Sequence, residues 1–116
     1  MRVECAEMQR YLLLSLSLSL FSACSLTLPV SGRLESGLET FTGQATGYTD
    51  GGGTLTITTS QGSTCEGDFV YVTSRNGEGT FICSDGRSGP FRFVSTGSRG
   101  TGTGRLGGEL FTFTFG

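Results

Sequence analysis

Lysine, histidine and tryptophan are all absent from the 116 residues, and proline occurs only twice. Each absence excludes something. Without histidine the commonest general base and metal ligand is missing. Without histidine or lysine a serine nucleophile has no ordinary base to activate it. The reading is therefore of a non-enzyme: no catalytic residues, no metal and no cofactor. Every basic residue is an arginine, eight in all, scattered singly and outnumbered by ten acidic residues for a net charge of −2. A nucleic-acid surface needs clustered positive charge, so nucleic acid is not an expected partner. Helix formers are scarce after Leu38, where Thr, Gly, Phe and Val dominate. That composition favours strands joined by glycine turns.

The N-terminus is different in kind. Tyr11–Phe21 is an apolar Leu/Ser run preceded by Arg10. It is shorter than the roughly 20 residues that a membrane-spanning helix needs, and has signal-peptide length; a buried strand is the alternative for the same alternation. Phe21-Ser22-Ala23-Cys24 follows. It resembles the lipobox of bacterial lipoproteins, although Phe21 stands where that family has Leu. The resemblance implies residues 1–23 as signal peptide, with Met8 as an alternative start, and Cys24 as the lipidated first residue. Several acyl chains on one cysteine anchor a protein durably. With Ser25 next, it implies the periplasmic face of the outer membrane, with the membrane, and an envelope protein or glycan, as partners. Residues 24–39, with Pro29, Gly32 and Gly37, read as a flexible tether. The folded domain is then 40–116.

Within that domain a repeat of roughly 22 to 24 residues is visible in the glycines. Gly51-Gly52-Gly53-Thr54-Leu55-Thr56-Ile57 answers Gly77-Glu78-Gly79-Thr80-Phe81-Ile82-Cys83, and Gly102-Thr103-Gly104-Arg105-Leu106 is a third copy. Each copy reads as a β-hairpin with a turn at Gly62, Gly86 or Gly107-Gly108. Gly77–Gly86 resembles a MORN repeat, with its Gly-x-Gly-Thr-aromatic and later Asp-Gly. That likeness implies a hairpin meander and carries no binding residues.

Alternation sorts the side chains. Leu55 and Ile57, Cys65, Phe69 and Tyr71, Phe81 and Cys83, Phe91 and Phe93, and Phe111, Phe113 and Phe115 share one face. Thr54, Thr56, Thr58, Arg92, Thr112 and Thr114 share the other. The fold class expected is all-β: an antiparallel meander of about seven strands, curled or an open barrel, apolar on one side and polar on the other. A domain this small buries only about 60% of its unfolded surface, so a staple helps. Cys65 and Cys83 fall on the inner face of strands that should pair, and in an oxidising compartment a disulfide is expected. Two buried thiols or half of a metal site are the alternatives, the latter lacking its other ligands.

Thr49–Thr54 lacks the Lys-Ser/Thr of a phosphate loop and reads as a turn. Asp50, Glu66, Asp68, Glu78 and Asp85 have no spacing that pairs them, and acidic residues beside glycines form turns. Two functions remain. The first is a structural or protein-interaction role in the cell envelope. The alternative is a glycan- or lipid-binding module using an exposed aromatic face that includes Phe91, Phe93, Phe111 and Phe113. Leu110–Phe115, if an edge strand, could accept a partner strand. Tyr48, Arg75 and Arg99, near turn tips, are candidate contacts.

Overall fold

The computed structural model describes residues 2–3 and 24–116. The signal-peptide run Tyr11–Phe21 and the alternative start at Met8 lie outside the described residues. Nine antiparallel strands follow chain order: β1 Arg2–Val3, β2 Ser25–Leu34, β3 Thr40–Tyr48, β4 Gly52–Thr59, β5 Thr64–Tyr71, β6 Asn76–Cys83, β7 Ser88–Thr96, β8 Arg99–Leu106 and β9 Glu109–Phe115. Each strand pairs with the next, and β2 also pairs with β9 from Val30↔Phe115 to Leu34↔Phe111. The sheet from β2 to β9 is thus an eight-stranded closed barrel. β1 lies along the start of β2, opposite Leu26 and Thr27.

Two expectations change here. The segment read as a tether is the strand that closes the barrel, with Leu28, Val30 and Leu34 buried in its interior. The last strand is not an edge, because β2 and β8 flank it. Pro29 fits this seam. Its carbonyl accepts from the Gly116 N–H, past the end of the β2–β9 ladder, so the proline stands where the pairing of the two strands ends.

The alternation read from the sequence holds. The inner face carries Leu55, Ile57, Cys65, Phe69, Phe81, Cys83, Phe91, Phe93, Phe111 and Phe113, all buried, and the threonines named above face outward. Cys65 and Cys83 are directly opposed on β5 and β6 and form a disulfide. Closing a loop of 18 residues is worth roughly 3 kcal/mol in the chain-entropy model.

An eight-stranded barrel is only just wide enough to hold side chains, so its interior must mix large with small. Here the rule is met by pairing phenylalanine with glycine across strands. Phe41 lies opposite Gly32, Phe69 opposite Gly53, Phe81 opposite Gly67, Phe91 opposite Gly79 and Phe93 opposite Gly77. Phe115, Phe113 and Phe111 lie opposite Gly100, Gly102 and Gly104. In each pair the ring covers its glycine: a Cβ on Gly79 would sit 2.7 Å from the Phe91 ring and one on Gly67 3.1 Å from the Phe81 ring, and the others would be at least as crowded. The glycines that resembled the Gly-x-Gly of MORN repeats, Gly77 and Gly79, are therefore strand residues inside a closed barrel, roofed by rings. The hairpins exist, but the MORN comparison gives the wrong architecture for them.

The turns use different glycines. Gly62 and Gly86 adopt φ of +92° and +96°, and Gly107 and Gly108 adopt +59° and +89°, values that side chains disfavour. The turns at Ser60 and Ser84, 24 residues apart, are built alike. The Ser60 Oγ accepts from the Thr40 N–H and the Ser84 Oγ from the Thr64 N–H, each at 3.0 Å.

If the ring-on-glycine pairs set the fit of the interior, Gly102→Ala should destabilise by about 1–3 kcal/mol, the range for overpacking a core. Gly47→Ala, in a strand with nothing near the added Cβ, should be neutral or stabilise by about 0.4–1 kcal/mol. Urea unfolding of the two variants checks this, and equal midpoints would contradict it.

Candidate functional site

The two ends of the barrel are built differently. The base carries the turns at 35–39, 60–63, 84–87 and 107–108. Glu39 is only 5% exposed there. Arg87 crosses to it from the β6–β7 turn, Nη1 donating to Oε1 at 2.8 Å and Nη2 to Oε2 at 2.9 Å. The same guanidinium donates through Nε to Asp85 Oδ2 at 2.9 Å, and the Ser63 hydroxyl donates to that oxygen as well. The aliphatic stem of Arg87 lies over Gly107, whose Cβ would come within 3.0 Å of it. Hydrogen bonding from Arg87 holds the Glu39 carboxyl below its usual range against the opposing effect of burial, and Thr59 assists. Asp85 is lowered to about 2, first by the Arg87 side chain, then by the Arg87 backbone N–H and Ser63. This two-point, charge-assisted contact closes the base.

The mouth, at the turns 49–51, 72–75 and 97–98, has no such lid among the described residues. Below it lies an apolar cavity of about 70 Å³ lined by Leu26, Leu28, Ala45, Gly47, Leu55, Phe69, Tyr71, Phe93, Gly97, Phe113 and Phe115. Alternation on β5, β7 and β9 delivers the rings. They meet edge to face, with centroids 5.1 Å apart for Phe69–Phe93, 5.4 Å for Tyr71–Phe93 and 5.5 Å for Phe93–Phe115, an arrangement favoured by the ring quadrupoles. The empty space comes from β3. Ala45 is small, and Gly47 faces Leu26 and Gly53 across the strands rather than a phenylalanine. A Cβ on Gly47 would meet nothing within 4 Å. Above the cavity, and sharing Leu26, Gly47, Tyr71 and Gly97 with it, is a wider vestibule of about 710 Å³ that adds Tyr48, Ser74, Arg75 and Ser95.

Of the residues singled out from the sequence, Tyr48 and Arg75 stand together at this mouth, whereas Arg99 begins β8 at the same end without lining either space. Phe91, Phe93, Phe111 and Phe113 are between 1% and 5% exposed. They form no exposed aromatic face, because closure turned that face inward. Glu66, Asp68 and Glu78 point outward from the strands, while Asp50 and Asp85 sit in turns at opposite ends. Among the described residues, no group of three or more His, Cys, Asp or Glu side chains is placed to hold a metal ion. Sequence reasoning missed the Glu39–Arg87 contact and the well under Gly47, since both depend on which hairpins meet around a closed sheet.

No family model and no curated protein matches the chain. Among solved structures, a redesigned β-barrel, mFAP1, bound to DFHBI superposes with a TM-score of 0.64 at 17% identity, over 77% of this chain and 90% of that one. A de novo designed fluorescence-activating β-barrel gives a TM-score of 0.60 at 14% identity, over 77% of this chain and 88% of that one. At such identity the likeness is one of fold.

These findings overturn the outer-membrane lipoprotein, with its membrane anchor, envelope partner and periplasmic address. The two similar structures named above are designed barrels, not lipoproteins or MORN arrays. The residues that should lift a domain off a bilayer are instead a barrel strand. The outward residues of the strands include the exposed polar side chains of Thr54, Thr56, Asp68, Glu78, Arg92 and Thr112 beside exposed Val70, Ile82 and Val94, whereas a membrane-spanning barrel presents a band that is apolar throughout.

The base contact has a pH signature. Both carboxyls titrate lower in the folded than in the unfolded chain, so the stability they contribute is fully present above the ordinary carboxylate range. It is lost as the pH falls through the folded values, toward 2 for Asp85. Arg87→Met should cost about 1–3 kcal/mol at pH 7, between the values for an exposed pair and for a fully buried one, since Arg87 is partly exposed. Its deficit relative to wild type should shrink between pH 4 and pH 2. Urea denaturation across that range is the check, and a pH-independent deficit would refute the assignment.

Proposed function

We propose that the protein is a small-molecule binding module that takes a slender apolar group into the mouth of its barrel. The observation that carries this is the contrast between the ends: one crossed by a partly buried ion pair, the other opening on a ring-lined apolar well. Eight-stranded barrels can hold one small ligand at this position. A cavity of about 70 Å³ is smaller than the roughly 150 Å³ that accommodates benzene. The group admitted is accordingly narrow, an alkyl chain rather than a stacked ring system. The similar barrel mFAP1 is bound to DFHBI, which supports ligand binding by a barrel of this fold without specifying the ligand here. An interior site replaces the exposed aromatic face, and lipid-like ligands suit it better than glycans, which would have to shed bound water at an apolar wall. The module is read as binding its ligand without transforming it.

Calorimetric titration with 1-octanol should show saturable binding to the full chain. Gly47→Leu, which extends a side chain into the well from a position where its Cβ meets nothing within 4 Å, should weaken it at least ten-fold while leaving the thermal midpoint unchanged or raised. Absence of saturable binding, or binding unaffected by Gly47→Leu, would contradict the proposal.

A further inference from the structure

The well is too small to enclose a whole ligand, so the remainder of any bound molecule lies in the vestibule above it, and the chemistry of that vestibule selects the head group. Arg75 is the one charged side chain lining it among the described residues. Its backbone is fixed at both ends. The N–H donates to Thr73 Oγ1 at 3.2 Å, and the carbonyl accepts from the Ser95 N–H at 2.8 Å. No carboxylate among the described residues pairs with its guanidinium. Asp50, an acidic side chain at this end, is turned back into its own loop, where Oδ1 accepts from the Gly52 N–H at 3.0 Å. Tyr48 and Ser74 line the same space and supply hydroxyls able to donate to an anion.

We infer that the ligand is an anionic amphiphile, its chain in the well and its carboxylate or phosphate head at Arg75. This rests on the well being a ligand site, and it goes further by assigning the head group. A planar guanidinium without a carboxylate partner among the described residues suits either anion through paired N–H donors. Its exposure to solvent limits the gain to a few-fold, and salt should erode it.

The test compares octanoate and octyl phosphate with 1-octanol by calorimetry at low salt, on the full chain and on Arg75→Gln and Arg75→Lys, each first shown to keep the wild-type thermal midpoint. The expected result is about five-fold tighter binding of the anions to wild type, the upper range for an exposed ion pair. That preference should be lost in Arg75→Gln and retained in Arg75→Lys. A difference between octanoate and octyl phosphate would separate a fatty-acid source from a phosphate-headed one. Equal binding of octanol and both anions to wild type would overturn the head-group assignment while leaving the well intact, as would a preference that survives Arg75→Gln. Failure of all three ligands to bind would overturn the site itself.

Discussion

The interlock of phenylalanine rings with the glycines opposite them governs this structure. A barrel of eight strands has little interior to spare. A ring on one strand can lie flat across the lumen only where the next strand offers no side chain. Every described phenylalanine has such a glycine across from it. The pairs do two jobs. They let strongly curved strands approach, since glycine tolerates the bend and the backbone contact, and they restore the apolar area that glycine alone would forfeit. Where the pattern lapses, at Ala45 and Gly47, space remains, and that space is the proposed ligand well.

Stability and binding are thereby sent to opposite ends. The Glu39–Arg87 contact and the Cys65–Cys83 disulfide both lie toward the base. The mouth keeps rings that pack on one another, a small-residue wall and an arginine that no carboxylate among the described residues pairs with. A site on rigid strands, braced from below, needs little ordering when a ligand arrives, which limits the entropic cost of binding.

Much of the interior was legible in the sequence, because period-two alternation depends on nothing beyond local pleating. It placed Phe69, Phe81, Phe91 and Phe111 on one face, and it paired Cys65 with Cys83. The turns at Gly62, Gly86 and Gly107-Gly108 were legible for the same local reason. What stayed hidden was closure. Leu26, Leu28, Val30 and Leu34 alternate as strand residues should, but Pro29 and Gly32 interrupt the pattern and an apolar N-terminal run precedes it, so the segment reads as a tether behind a lipobox. Glycine in mid-strand was equally ambiguous. Gly77, Gly79 and Gly102 look like turn residues until the register shows rings above them. The aromatic face was expected on the inside of a curled sheet or open barrel, but without the β2–β9 seam Tyr48 and Arg75 could not be recognised as the rim of a closed lumen.

The central claim is that the barrel is filled at its base and receptive at its mouth. The most direct measurement is a two-dimensional NMR titration of the isotope-labelled full chain with an alkyl ligand such as octanoate. Saturable shifts confined to Leu28, Ala45, Leu55, Phe93 and Arg75, with Leu34, Phe81 and Leu106 unmoved, are the expected result. Shifts centred on the base or scattered over the outer threonine face, or no saturable shifts at all, would contradict it.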